Sequence, residues 1–477
     1  MIARHTLTYV GSRGFAAILN LASVAVFTRL APVESYGAYL YVMSWALVLY
    51  GATCQWPKYA FFALYDEARA GVQVATLARI LAGTVVLASL GSGLAAAFGL
   101  VPAGITGAVV ALVVGITLFE ASAEIARTRL RAGTVAVSVV ARAVLMLGLG
   151  SAALHLSQDP LHLALAVAAA NALAALPAVA AVLPLMGGRG SRVEAGRLLA
   201  YGWPLALSFG TAALAASLDR LIIGRTVGPE ELGAYGAIAD FLKQSFVVFG
   251  EALTLSMIPI AKREARLGGW PAASAILADA ARAIALLAAF GAVFFSAFDD
   301  VVIAILLGPD YRAEAQRLAP VLILASILMT LRAHYFGQVI YFARTSRLEL
   351  AASVAALVTV AGPALLLIPS FGVMGAAIAF AAGQGAACLV FILGARWRAE
   401  GAIAMPLPGA DILGIVGGAL ACALLLWAIG LTPWGFAPAG QALRFVLLVA
   451  GFVAVAWRYD VVGIARAVRG RLAFRTR

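Results

Sequence analysis

The chain has 477 residues, of which 63% are hydrophobic and only 12% charged, and its formal net charge is +12. Its mean hydropathy is +0.99, whereas a soluble protein carries roughly 25% charged residues, enough to cover a water-facing surface. This composition excludes a soluble enzyme, a secreted domain and a disordered chain, and it indicates a protein that lies mostly in lipid.

The positive net charge does not indicate a nucleic-acid partner. Lys and Arg fall in short clusters between apolar runs, as in membrane proteins, and no basic groove with interleaved aromatic residues accompanies them. The three cysteines and four histidines show no spacing typical of a disulfide framework or a metal site. We therefore predict no metal, no bound cofactor and no nucleic acid.

Taken in chain order, about fourteen apolar runs reach the roughly 20 residues that a helix needs to cross a bilayer. The first covers 8–30 and the second 37–54, and the absence of a small-residue cleavage site predicts an uncleaved first helix. The run Val301–Leu307 is too short to cross and is expected at an interface. The predicted fold is an all-α polytopic membrane protein.

The distribution of Lys and Arg among the connections predicts the orientation. Most of them, including Lys58, fall on one set of alternate connections, and five fall on the opposite set: Arg29, Arg225, Arg312, Arg317 and Arg444. Positive residues are enriched in cytoplasmic loops, so both termini are predicted to be cytoplasmic. The external loops are short and leave no room for a catalytic domain, so we do not expect an enzyme.

Two segments resemble each other and suggest an internal duplication. Pro32-Val33-Glu34-Ser35-Tyr36-Gly37-Ala38-Tyr39 follows the first span, and Pro229-Glu230-Glu231-Leu232-Gly233-Ala234-Tyr235 follows the seventh. Six spans separate the copies, which predicts a parallel repeat about an axis along the membrane normal, an arrangement that suits rocking-bundle transport. The alternative is that turn chemistry alone produced two similar loops, since Pro and Gly favour them.

A family resemblance rests on two stretches of the chain. Arg197-Leu198-Leu199-Ala200-Tyr201-Gly202-Trp203-Pro204-Leu205-Ala206-Leu207, continuing to Ser217-Leu218-Asp219-Arg220-Leu221-Ile222-Ile223-Gly224, resembles the polysaccharide biosynthesis proteins, as does the stretch from Asn20 to Tyr39. These are the O-antigen and exopolysaccharide flippases of the multidrug/oligosaccharidyl-lipid/polysaccharide (MOP) exporter superfamily. The sequence-specific part covers spans one, two, seven and eight.

The resemblance implies two six-helix lobes like those of multidrug (MATE) exporters, at 1–190 and 191–400, followed by two extra helices and a basic cytoplasmic tail at 401–477. It also implies a bacterial inner-membrane flippase that moves an undecaprenyl-diphosphate-linked oligosaccharide from the inner to the outer leaflet for surface polysaccharide or lipopolysaccharide synthesis. The implied partners are this lipid-linked oligosaccharide, membrane lipids, and polysaccharide polymerase or export proteins.

Polar residues inside spans are costly and therefore mark candidate sites. Asp240, Gln244 and Glu251 fall within about 40° of one another on a helix, with Lys243 beside them. The candidates for substrate binding in the cleft are Arg13, Asn20, Arg142, Ser208, Thr211, Lys243 and Gln244, and those for coupling to H⁺ or Na⁺ are Glu251, Asp240 and Asp219. Structural pairing is the alternative for several of them, above all for Asp240 with Lys243.

Two other function classes stay open from the residues alone. A cation-coupled multidrug exporter of the same superfamily should have mainly carboxylates in its groove, whereas this chain places both signs in its spans. A polytopic glycosyltransferase or polymerase usually has a large loop with catalytic residues, and no loop of that size is present here. A structural role is the third alternative.

Overall fold

The computed structural model describes residues 2–185, 188–342, 347–394 and 403–463, and these ranges are helical without a β-strand. This confirms the predicted all-α class. The helices are α1 (Ile2–Leu30), α2 (Val33–Leu49), α3 (Trp56–Leu64), α4 (Ala70–Ala97), α5 (Thr106–Thr128), α6 (Ala132–Ser157), α7 (Pro160–Val182), α8 (Arg192–Thr226), α9 (Pro229–Ala297), α10 (Asp299–Leu306), α11 (Arg312–His334), α12 (Arg347–Gly394), α13 (Gly409–Gly430) and α14 (Pro438–Arg458). The predicted basic tail after residue 463 lies outside the described residues.

Within the described ranges, twelve helical segments are long and apolar enough to cross a bilayer, so the chain is a multi-pass membrane protein. Two helices are far longer than one crossing requires: α9 has 69 residues and α12 has 48. Each contains a glycine with non-helical backbone, Gly269 (φ 71°) in α9 and Gly372 (φ 57°) in α12. If both helices cross twice, the total is fourteen, and that number stays a prediction.

The second crossing is longer than the sequence predicted. A π-helical turn, Tyr50–Cys54, links α2 to α3, so the helical path runs from Val33 to Leu64 and does not end at residue 54. Pro57 does not break this path, because it lies in the first turn of α3, where no backbone N–H is needed. The prediction that Lys58 lies in a loop is therefore wrong, since this residue is in α3 and only 5% exposed.

Local sequence signals account for several helix ends. The Ser191 hydroxyl accepts hydrogen bonds from the backbone N–H groups of Val193 and Glu194, and so caps the start of α8. Asp159 caps α7 in the same way through the N–H of Leu161. The predicted interfacial run near 301–307 forms α10, which has eight residues and is too short to cross.

The contacts divide the chain into two compact units. The first contains the chain up to Phe241 together with 304–315 and 356–380, and in it α5 packs on α7, while α6 packs on both α1 and α7. The second contains 242–303, 316–355 and the chain from 381, and in it α13 packs on α14. The predicted domains at 1–190, 191–400 and 401–477 stay predictions.

Inside the first unit, the two similar segments lie against each other. A Cβ added at Gly37 would overlap the carbonyl oxygen of Pro229 and lie 2.6 Å from the backbone nitrogen of Gly233. A Cβ at Gly233 would in turn overlap the carbonyl oxygen of Val33. Gly37 and Gly233 thus lie together, each near the first residues of its helix. A parallel repeat requires these two glycines to lie on the same side, and their contact agrees with that. Both positions need glycine because the backbones touch.

A third segment, residues 304–311, packs against the link between the last residues of α1 and the first residues of α2. The Gly308 N–H donates a hydrogen bond to the Thr28 hydroxyl (3.2 Å), and the Tyr311 hydroxyl donates one to the carbonyl oxygen of Ala31 (3.1 Å). We call the contact among residues 28–37, 229–235 and 304–311 the three-loop seal. By the predicted orientation, this seal closes the external side of the first unit.

Candidate functional site

Three charged side chains from three helices of the first unit form an ion-pair cluster within the membrane-spanning region. The Lys58 ammonium lies 2.6 Å from Oε2 of Glu120, and the Arg142 guanidinium lies 3.6 Å from Oε1 of the same carboxylate. Lys58 comes from α3, Glu120 from α5 and Arg142 from α6. Glu120 thus bridges two cations through its two oxygens, and the cluster has a net charge of +1.

The cluster lies well inside the spans. At 1.5 Å per helical residue, Glu120 is about 12 Å from the end of α5 at Thr128, and Arg142 is about 15 Å from the start of α6 at Ala132. Lys58 is about 9 Å from the end of α3 at Leu64. These three helix ends belong to the face predicted to be cytoplasmic, so the cluster lies in the half of the membrane next to that face.

Aromatic rings surround the two cations. The Lys58 ammonium lies 5.2 Å from the centre of the Tyr59 ring and 5.8 Å from that of Tyr50, and the Arg142 guanidinium lies 4.6 Å from the centre of the Phe119 ring. Ring faces attract cations and exclude water. The π-helical turn shifts the helical phase between Tyr50 and Lys58, and such turns are frequent at functional sites.

Exposure differs among the three side chains and indicates an open side. The Lys58 side chain is 6% exposed, whereas those of Glu120 and Arg142 are 32% and 31% exposed. A charge that faces lipid is costly, so charged groups in spans face the protein interior or a water-filled space. We infer that the exposed edge of Glu120 and Arg142 faces a water-filled space, from which a polar ligand can reach Arg142, whereas Lys58 is buried.

Of the other predicted substrate-binding residues, four lie in the first unit. Arg13 and Asn20 are half-buried in α1, and the side-chain oxygen of Asn20 is buried without a hydrogen-bond donor. Ser208 and Thr211 lie in α8, and the Thr211 hydroxyl donates its hydrogen bond to the carbonyl oxygen of Leu207 in the same helix. Of the predicted substrate-binding residues, Arg142 belongs to the ion-pair cluster.

Two predicted coupling carboxylates, Asp219 and Asp240, belong to a separate buried network. Asp219 is fully buried and accepts hydrogen bonds from the Tyr235 hydroxyl and from the backbone N–H of Arg220. The Arg220 guanidinium forms an ion pair with Asp240. This network joins α8 to the first turns of α9, directly behind the three-loop seal, because Tyr235 belongs to that seal.

The remaining candidates, Lys243, Gln244 and Glu251, are half-buried in the part of α9 that belongs to the second unit. That Asn20, Ser208, Gln244 and Glu251 point into one shared cavity stays a prediction. Arg282, also in α9, forms ion pairs with Asp279 (2.5 Å) and with Asp411 of α13 (2.7 Å), so it links the two helices within this unit.

The second unit also contains a large apolar groove. It has a volume of about 960 Å³ and is lined almost entirely by apolar side chains of α9, α11, α12 and α13, among them Leu324, Leu389 and Leu413. These three leucines are exposed by half or more, so the groove is open and not filled by the protein itself.

Sequence reasoning missed Lys58 and Glu120. Gln55 and Pro57 interrupt the apolar run, so the sequence predicts a loop at Lys58, and Glu120 lies close to the end of the predicted span 103–122. A usable signal was present, because the run Tyr59–Leu64 after Lys58 is apolar and extends the second span. Extending that span would have moved Lys58 into the membrane.

No protein-family model matches the sequence, and no curated protein matches it. Solved structures do match the fold. A structure of the lipid II flippase MurJ in an inward closed conformation has a TM-score of 0.73 at 9% sequence identity, and the match covers 94% of this chain and 98% of that one. An inward-facing multidrug resistance MATE family transporter of the MOP superfamily has a TM-score of 0.56 at 16% identity, over 80% of this chain and 94% of that one.

A MOP superfamily transporter from Pyrococcus furiosus, described as having a binding pocket of reverse polarity, has a TM-score of 0.57 at 16% identity. That match covers 83% of this chain and 95% of the transporter. All three likenesses extend over most of both chains, although the sequence identities are low. The chain has the fold of the MOP-superfamily transporters.

Proposed function

We propose that this protein is a flippase that moves an undecaprenyl-diphosphate-linked oligosaccharide from the inner to the outer leaflet by alternating access. The observation that carries the proposal is the Lys58–Glu120–Arg142 cluster, which has two cations for one carboxylate inside the membrane-spanning region. Phosphate oxygens form short, charge-assisted hydrogen bonds with Lys and Arg. A cluster with excess positive charge therefore suits a diphosphate headgroup.

The apolar groove of the second unit supports the same proposal. A polyprenyl chain is long and hydrophobic, and a groove of about 960 Å³ lined by leucine, isoleucine and alanine side chains can hold a large part of it. The three-loop seal would close the external side in one state of the cycle.

The alternative is a cation-coupled multidrug exporter of the same fold, and the similarity to MATE transporters favours it. An exporter of organic cations should present carboxylates to its substrate. In the cluster described above, the carboxylate is already bridged by two cations, so a cationic substrate would meet a net positive charge. This charge balance is our reason for preferring an anionic substrate.

The experiment is deletion of the gene in its native host and complementation at matched expression with wild type, Lys58→Met, Arg142→Met or Arg282→Met. We expect deletion to abolish surface polysaccharide and to leave lipid-linked oligosaccharide on the cytoplasmic leaflet. Wild type and Arg282→Met should restore the polysaccharide, whereas Lys58→Met and Arg142→Met should restore less than about a tenth of it.

Arg282→Met is the matched control because it also removes an ion-paired cation, but from the second unit. Sensitivity of the same strains to ethidium tests the alternative. Normal surface polysaccharide after deletion, in a host without a second transporter of this fold, would contradict the proposal. Increased ethidium sensitivity in that strain would then favour the drug exporter.

A further inference from the structure

Glu120 occupies the positions on both cations that an anionic ligand would need. Its Oε2 contacts Lys58 at 2.6 Å and its Oε1 faces Arg142 at 3.6 Å, so one carboxylate bridges the pair as a phosphate group would. Lys58 is almost fully buried, and an unpaired buried charge is strongly unfavourable. Glu120 therefore supplies the negative charge that Lys58 and Arg142 require.

The bridge formed by Glu120 affects which anions can bind. Any anion that binds both cations must first displace Glu120, so its affinity is reduced by the loss of the ion pairs of Glu120 with Lys58 and Arg142. A diphosphate carries more negative charge and more acceptor oxygens than a carboxylate, so it forms more charge-assisted hydrogen bonds with the two cations than Glu120 does. A phosphodiester headgroup carries one negative charge, no more than Glu120 itself, and gains nothing by the exchange.

We propose that Glu120 is a specificity residue that keeps phospholipid headgroups with a single charge out of the cluster and admits diphosphates. This inference rests on the proposed function, because it assumes that Lys58 and Arg142 bind the substrate anion. Phospholipids greatly outnumber any lipid-linked oligosaccharide in a bilayer. Without Glu120, phospholipid headgroups would therefore occupy Lys58 and Arg142. Glu120 acts through the two cations and does not itself contact the substrate.

The experiment measures binding to the purified full chain in detergent by isothermal titration calorimetry. The probes are farnesyl diphosphate and, as competitor, dihexanoyl phosphatidylglycerol. For wild type, we expect farnesyl diphosphate to bind and its Kd to be unchanged by the competitor. For Glu120→Gln, we expect a Kd for farnesyl diphosphate at least tenfold lower, and a Kd that rises when the competitor is added.

Glu194→Gln is the matched control. Glu194 is also a buried carboxylate between two arginines, 2.5 Å from Arg69 and 3.0 Å from Arg197, but it lies in the first turn of α8. This variant loses an equivalent bridge and should leave both measurements unchanged. A tighter Kd is a gain that general structural damage does not produce, so it separates a role in specificity from a purely structural one.

Glu120→Asp covers the case in which Glu120→Gln fails to fold. It keeps the charge but is one methylene shorter, so it cannot reach both cations, and we expect a smaller decrease in Kd, of about threefold. If the folded variants bind farnesyl diphosphate no more tightly than wild type and the competitor has no effect, Glu120 is not a specificity residue although the proposed function stands. If neither wild type nor variants bind the probe, the proposed function fails as well.

Discussion

Gly37→Ala should open the three-loop seal, because the new methyl group has no space in the closed arrangement. It would overlap the carbonyl oxygen of Pro229 and lie 2.6 Å from the backbone nitrogen of Gly233, and backbone atoms cannot move aside as a flexible side chain can. Overpacking of this kind typically costs about 1–3 kcal/mol. If the open state carries none of that cost, the ratio of open to closed protein rises about 5-fold to 150-fold.

The assay is alkylation of a cysteine placed inside the seal. Ala234 is 6% exposed and lies beside Gly233, so a cysteine at this position reacts with a membrane-impermeant maleimide when the seal opens. The native cysteines Cys54, Cys388 and Cys422 are buried and would be replaced by alanine in the parent. We expect the labelling rate of Ala234→Cys to rise with the open population when Gly37→Ala is added.

Gly148→Ala is the matched control, since a Cβ at Gly148 meets nothing within 4 Å. It should leave the labelling rate at the parental value. The reasoning would be refuted by equal labelling rates in folded Gly37→Ala and Gly148→Ala proteins. A lower thermal midpoint for Gly37→Ala without faster labelling would also refute it, because the strain would then be relieved by general destabilisation and not by opening of the seal.

Two further predictions concern groups with defined partners. Tyr235→Phe removes the hydroxyl that donates a hydrogen bond to the fully buried Asp219, so we expect the unfolding free energy to fall by about 1–3 kcal/mol. Denaturation is measured against Tyr201→Phe, a control at an exposed tyrosine. Equal stability of the two variants would contradict the prediction. Hydrogen bonds from the Arg69 side chain and the Ala68 N–H lower the pKa of Asp66 below its usual 3.8. The contribution of Asp66 to stability is therefore complete above pH 3.8, and it is lost as the pH falls through the lowered pKa of the folded state. Asp66→Asn should accordingly flatten the decrease in thermal midpoint as the pH falls below about 4, and an unchanged slope would count against this prediction.

Much of the fold could be predicted from the sequence because lipid imposes one strong rule. A segment in a bilayer must satisfy its own backbone hydrogen bonds, so each long apolar run becomes a helix. The similar segments around Gly37 and Gly233 also correctly predicted that these loops lie on the same side. The composition therefore predicted the fold class, and the repeat predicted a common side for the two segments, whereas their direct contact is seen only in the structure.

The helix boundaries were less predictable, and the errors had physical causes. The interruption at Gln55 and Pro57 suggested a loop, but a π-helical turn absorbs it and the helix continues to Leu64. The non-helical glycines Gly269 in α9 and Gly372 in α12, by contrast, fall where the sequence separates the predicted spans 236–260 and 277–298, and 348–369 and 372–394.

The ion-pair cluster was only partly predictable, because pairing depends on how distant helices pack. A cost argument could nevertheless have found it. Arg142 lies in mid-span and requires an anion, and from residue 1 to residue 158 the chain has five carboxylates: Glu34, Asp66, Glu67, Glu120 and Glu124. Three of them flank predicted spans, and Glu124 lies beyond residue 122, where its predicted span ends. Glu120 is thus the carboxylate that falls inside a predicted span, so the need to balance the charge of Arg142 inside the membrane favours a pair between these two residues.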